Sequence, residues 1–323
     1  MIETAMDKIY DRGGVEFELT GSWENKGRNI TAAALTGLAG TGALFFYAQS
    51  FLAVVLLLVF KHANYTKVTG DLLNKINIIT NDLKTPLLIA LAVSEFIFML
   101  IPTLWIVKKW HTNDVIKYLR IRVCPLKEIA LAVLITIFLL PFCYYVSYLI
   151  EQVFRLPEFY KSVGPQLFTA NSGSELITLI FVVAITPAIC EEIFFRGYFQ
   201  RTLERTIGGK SIIVTGILFG SFHMQPLSLV TLSILGLLFS FFFNRSKNIL
   251  PSSSAHFTNN FIAIMLLYCQ AKSVYIATIL ENNFSAVWII LSLMIASGLI
   301  VIYLKVTKNT TENNQSVKVQ NPS

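Results

Sequence analysis

Long apolar runs alternate with short polar connections along this chain. The runs recur near the length at which a helix crosses hydrocarbon, about 20 residues. Eight can be marked out, at roughly 40–60, 86–107, 128–150, 174–200, 208–224, 227–243, 250–270 and 285–305. Ten-residue stretches of alternating polarity, which would point to a membrane barrel, are absent from the sequence. The pattern predicts an all-α fold, a polytopic transmembrane bundle of about eight spans. Runs five and six are short and meet at a tight turn, Met224-Gln225-Pro226. The start of the first run is blurred, because residues 31–45 (TAAALTGLAGTGALF) are rich in Gly and Ala.

Composition supports this picture. The 323 residues are 54% hydrophobic and only 14% charged, against about 25% charged in a soluble domain. The net charge of +7 reflects loop residues. Nineteen of the 26 Lys and Arg fall in the N-terminal segment, the 108–127 loop, the 191–210 region, the 244–249 loop and the tail. Lys61, Lys67, Lys75, Lys84, Arg155, Lys161 and Lys272 lie on the other side of the ladder. Basic residues concentrate in cytoplasmic loops, so both termini are expected in the cytoplasm, with the protein in the cell membrane. No basic helix face is interleaved with aromatics, and nucleic acid is not an expected partner. The first thirty residues are polar and mixed in charge, so the first span is expected to be uncleaved.

Three polar insertions interrupt the later runs: Ile189-Cys190-Glu191-Glu192-Ile193-Phe194-Phe195-Arg196, then Phe219-Gly220-Ser221-Phe222-His223, then His256-Phe257-Thr258-Asn259-Asn260. Ionisable groups at membrane depth cost several kcal/mol unless paired or hydrated, so they mark function more often than structure. Measured from the basic side, helix rise places Glu191 about 14 Å deep, His223 about 20 Å, His256 about 10 Å and Asn260 about 17 Å. The three insertions thus share one slab, and a cavity there is expected to open toward the cytoplasmic leaflet. Glu192 and Arg196 stand four apart in the order favoured for a helical ion pair. That leaves Glu191 without a partner on its own helix, free to act as a general base. His256 and Asn260 share a helix face. Taken singly, Glu192–Arg196 reads as a pair that orients its helix, His223 as a core histidine, and His256 and Asn260 as interhelical glue. Glu95 also lies within a run and has no basic residue within a helical turn. The four cysteines form no CxxC pair and read as small apolar residues. Cys190 adjoins Glu191, but on a helix it points about 100° away.

The insertions read as EExxxR, FxxxH and HxxxN, in that order on three helices. On these residues the chain resembles the CPBP (Abi) family of intramembrane endopeptidases, which includes the type II CAAX prenyl endopeptidases. The resemblance covers roughly 174–270 and no motif in the first 120 residues. It implies a glutamate-dependent peptidase. Glu191 would be the general base, His223 would hold and activate water, and His256 and Asn260 would stabilise the oxyanion. Glu192 and Arg196 would be a structural pair beside the site. The organisation expected is a polar cytoplasmic segment (1–39), N-terminal helices and loops (40–173), the catalytic core (174–270), a last helix (271–307) and a disordered cytoplasmic tail (308–323).

No cofactor is expected. The alternative is zinc held by Glu191, His223 and His256 with water in the fourth position, although HExxH spacing is missing. Two non-peptidase readings stand beside the enzyme. One is a proton-coupled transporter, since proton relays use the same residue types, against which no inverted repeat is visible. The other is a non-catalytic immunity or scaffold protein. The expected partners are the bilayer and a membrane-associated peptide or protein substrate, prenylated or of leader type.

Overall fold

The computed structural model describes residues 8–11, 15–59, 72–154, 166–273 and 286–320, the side chains of 8–16, 72–82 and 309–320 excepted. It opens on a short antiparallel hairpin, β1 (Lys8–Asp11) and β2 (Val15–Glu18), with Lys8 opposite Glu18 and Asp11 opposite Val15. A single helical turn, Ser22–Asn25, follows. All the remaining long elements among the described residues are helices.

Helix α1 is Ile30–Val59. Helix α2 covers 72–111 and alternates ordinary turns with widened, π-type turns at Ser94–Leu100 and Val107–His111. Helix α3 is Leu126–Phe154. Helix α4 covers 173–207, with π-type turns at Ile180–Ile185 and Ile193–Gln200 on either side of the α-helical Thr186–Glu192. Helices α5 (Ser211–Phe222), α6 (Leu229–Ser246), α7 (Leu250–Lys272) and α8 (Ala286–Gln320) complete the bundle.

Six stretches are long and apolar enough to cross a membrane: Ile30–Val59, Leu83–His111, Leu126–Phe154, Gly173–Phe222, Leu229–Ser246 and Ala286–Lys308. The chain is therefore an all-α integral multi-pass membrane protein. The fourth stretch contains two of the eight expected runs. Gly208, at φ 56° and ψ −135°, adopts a backbone that strains any residue with a Cβ, and it separates α4 from α5. Helix α7 is missing from the six because its first half is polar, from Ser252 to Asn260.

Two boundaries differ from expectation. The first helix takes in residues 30–39, which the sequence pattern had left in the polar N-terminal segment. Their small side chains form a packing face: Ala33, Ala34, Gly37, Thr41 and Gly42 are buried. A Cβ on Gly37 would meet the Tyr198 hydroxyl at 2.1 Å, and one on Gly42 would meet the Phe222 ring at 2.8 Å. Small residues let transmembrane helices approach closely, so the Gly and Ala content that blurred the helix start is its interface. The backbone of α8 continues helical to Gln320, where the reading was a disordered tail from Lys308; extending an existing helix is far easier than nucleating one.

The basic segments gather at one end. There Arg205 pairs with Glu24 through two hydrogen bonds of 2.5 and 2.9 Å, and Glu24 also bonds His111 Nδ1 at 2.6 Å. Glu204 meets Arg120 at 2.7 Å and Lys247 at 3.6 Å, and Arg245 donates to Thr307 and to the Leu304 carbonyl. At the opposite end Lys84 pairs with Glu175 at 2.8 Å, and Lys272 donates to the Asn171 carbonyl. Of the other basic residues assigned to that end, Lys61, Lys67, Arg155 and Lys161 lie outside the described residues.

Burial works against ionisation of Glu24, yet the hydrogen bonds from Arg205 and His111 outweigh it and hold the carboxyl at about 2, below its usual 4.5. A depressed folded-state value means the contribution is complete above 4.5 and is lost as pH falls toward 2. Glu24→Gln should therefore lower the melting temperature in detergent near neutrality, and the gap to wild type should close as pH drops through that window. A gap that stays constant on acidification would show that Glu24 contributes through packing rather than charge.

Candidate active site

The site is built around α4. Pro187 has no N–H, so the carbonyl of Val183, four residues back, loses its ordinary helical donor. Asn260 on α7 supplies one, its Nδ2 reaching Val183 O at 2.8 Å. Asn259 Nδ2 in turn bonds Asn260 Oδ1 at 2.8 Å and sets the orientation of the amide. One turn earlier, the Thr186 hydroxyl donates to the Phe181 carbonyl at 2.9 Å. The π-type turns before and after Thr186–Glu192 rotate this segment relative to a regular helix. Such widened turns are frequent at functional sites.

Glu192 and Arg196 are both fully buried and lie 2.7 Å apart. The Arg196 guanidinium also donates to the Gly236 carbonyl at 3.1 Å and lies 4.4 Å from the Phe219 ring centre. That bond starts a ladder from α4 to α6. Gln200 Nε2 donates to Ser240 O at 2.9 Å, and Asn244 Nδ2 donates to Glu204 at 2.6 Å. Each rung spans forty residues of sequence, and the rungs rise four residues at a time on both helices, so the two run parallel. Helix α5 fits against α6 because both carry glycine at the crossing. A Cβ on Gly216 would strike Leu237 N at 2.7 Å, and one on Gly236 would strike Gly216 O at 2.5 Å.

Helix α5 has 12 residues and rises about 18 Å, short of the roughly 30 Å of hydrocarbon. His223 is the residue that ends it, with Met224 at φ 51° turning the chain back. It is thus carried at the tip of a hairpin, where the sequence reading had put it inside a span. Its Nδ1 lies 2.9 Å from the Phe219 carbonyl. His256 is buried between Phe239, stacked at 5.1 Å, and Phe219, edge-on at 5.6 Å. Its Nδ1 lies 2.9 Å from Glu192 Oε1. Carbonyl and carboxylate oxygens only accept, so each ring carries a proton on Nδ1 and turns Nε2 toward Glu191. Both Nε2 atoms are 4.0 Å from Glu191 Oε2, which is buried and has no hydrogen-bond partner. Three separate helices therefore bring Glu191, His223 and His256 to one point, with Asn260 one turn beyond His256 on α7.

Among the described residues, no three or more His, Cys, Asp or Glu are arranged to hold a metal ion. Tetrahedral zinc with bonds of about 2.0–2.1 Å would draw the Glu191 oxygen and the two imidazoles closer than 4.0 Å. Cys190 is buried and reads as packing.

A cavity of about 420 Å³ lies between α2 and α4, walled by Leu88, Ile89, Val93, Leu179 and Val182 with Lys84 and Glu175 at its mouth. Its lining includes none of Glu191, His223, His256 or Asn260.

A buried carboxylate and two oriented imidazoles thus meet inside an all-α membrane bundle. Residues 173–262 match the family described as Type II CAAX prenyl endopeptidase Rce1-like. That span contains Glu191, Glu192, Arg196, His223, His256 and Asn260. The domain at 173–262 belongs to this family, which implies an intramembrane protease. No curated protein and no solved structure matches the chain.

Sequence reasoning had paired Glu192 with Arg196 only and missed that Glu192 also orients His256. It gave no sign of the ladder, since a forty-residue register between parallel helices leaves no local pattern. Pro187, four residues after Val183, was a readable signal of an orphaned carbonyl.

Two stability predictions follow from this geometry. Arg196→Met should cost about 3–5 kcal/mol, because it strands a buried carboxylate. Glu192→Gln combined with Arg196→Met should cost less than Arg196→Met alone, as read by denaturant unfolding in micelles. Asn260→Ala should cost about 1–3 kcal/mol through the orphaned Val183 carbonyl, and less in a Pro187→Ala background that restores an N–H.

Proposed function

We propose that this protein is a metal-free glutamate peptidase that cleaves a membrane-associated peptide or protein. The observation that carries the reading is the convergence of two Nδ1-anchored imidazoles on one unpartnered oxygen of Glu191. A water within about 2.8 Å of each would bridge the 4.0 Å separations.

Glu191 takes a proton from that water as its oxygen attacks the scissile carbonyl carbon, while the His223 Nε2 lone pair accepts the water's second hydrogen. The tetrahedral intermediate places negative charge on the former carbonyl oxygen. The imidazolium form of His256 donates from Nε2 to that oxygen, its charge balanced by Glu192 beside Nδ1. Asn260 has one amide hydrogen on Val183 and a second left for the same oxyanion. The C–N bond then breaks as Glu191 passes its proton to the leaving amine. Glu192 and Arg196 act by holding His256 and α6 in place.

The substrate is a prenylated or leader-type peptide presented from the bilayer. Following the charge bias, the basic end faces the cytoplasm of the cell membrane, with both termini there. Substrate would then meet the α2–α4 cavity from the outer half of the membrane.

The test is cleavage of fluorogenic prenylated and leader-type peptides by detergent-purified protein. Glu191→Ala and His223→Ala should each reduce kcat/KM by about 10²–10⁴-fold, and wild type should keep its activity in chelator. Loss of activity on chelation, restored by zinc, would overturn the metal-free mechanism. Equal cleavage by wild type and both variants would remove Glu191 and His223 from the chemistry.

A further inference from the structure

Glu95 is the one buried carboxylate in this half of the bundle that the mechanism above does not use. It lies in the π-type turn Ser94–Leu100 of α2, which packs against Thr186–Glu192 of α4. It is 1% exposed, and its Oε2 has no hydrogen-bond partner. The turn it packs against carries Cys190 and Glu191.

Among the described residues, the surroundings of Glu95 contain no free counter-charge. Helix α1 has no Asp, Glu, Lys, Arg or His, and neither has the Ile101–Ile106 segment of α2. Across from Glu95, α4 contributes Cys190, Glu191, Glu192 and Arg196. The last two are taken up with each other and with His256. Lys84, further along α2, is held by Glu175 at the far end. Two carboxylates thus face one apolar region with no cation between them, and two such groups do not both ionise. The Glu191 side chain is 12% exposed and Glu95 only 1%, so the anion is better solvated on Glu191.

We propose that Glu95 and Glu191 share a single proton, with Glu95 holding it as a neutral carboxylic acid while Glu191 is the anion that activates water. Glu95 is then a positioning residue. Its proton is retained through the cycle, and the proton that moves is the one Glu191 takes from water and returns to the amine. The inference rests on Glu191 being the general base, but its proton can be read without any substrate.

The experiment is infrared difference spectroscopy of the full chain in detergent, titrated with alkali. Wild type should show a buried protonated-carboxyl band at neutral pH that Glu95→Gln removes. In Glu191→Gln, where the neighbouring negative charge is gone, the band should be lost at least about one pH unit earlier, a tenfold change in proton concentration. A band that Glu95→Gln leaves intact, or one whose titration is the same with and without Glu191, would overturn the pairing. Both spectra are independent of cleavage, so a failed peptidase assay leaves this result standing. Where cleavage is measured, the alkaline fall in kcat/KM should disappear in Glu95→Gln while the acid limb stays in place. Glu95→Gln preserves shape, and an unchanged melting temperature separates this effect from misfolding.

Discussion

The buried pair of Glu192 and Arg196 is the constraint on which the rest of this molecule depends. Two charges removed from water must be compensated in full, because each lone charge costs several kcal/mol. Glu192 is answered by Arg196 and by His256, and Arg196 by Glu192, by the Gly236 carbonyl and by the face of Phe219. These demands fix α4, α6 and α7 relative to one another. They also leave Glu191, one residue earlier, pointing into a space the pair does not fill. Glu191 is unpaired because its neighbour has taken the available cation.

The ladder from α4 to α6 extends this control along the helix. Its rungs carry the register from Arg196 to Glu204, where the contacts pass to Arg120 and Lys247 at the basic end. The glycine crossing of α5 on α6 then sets how close the His223 hairpin can come. Position at the site is thus inherited from polar contacts in one direction and from missing side chains in the other.

Much of the fold was legible because the bilayer demands long apolar helices, and the sequence obeys that rule along six stretches. The boundaries that failed are those where tertiary packing overrides composition. Residues 31–45 are too rich in Gly and Ala to fix where the span begins, yet Ala33 and Gly37 are the surface on which Tyr198 sits, its hydroxyl bonded to the Ala33 carbonyl at 2.6 Å. At the site, the motif spacings revealed which residues share a helix face. They did not reveal that Asn260 bonds the Val183 carbonyl opposite Pro187, or that the turn bearing Glu95 packs on the turn bearing Glu191. Each of those depends on which helices lie side by side, and a local pattern carries no record of that.

The position of Arg196 four residues after Glu192 also bears on how the chain is made. A ribosome delivers α4 to the membrane before α6 and α7 exist. At that stage neither the Gly236 carbonyl nor His256 can help to compensate the buried charges. Because carboxylate and guanidinium sit one turn apart on a single helix, α4 enters the lipid already neutralised. His223 and His256 are synthesised later, so the cluster around Glu191 is incomplete until the seventh helix is in place.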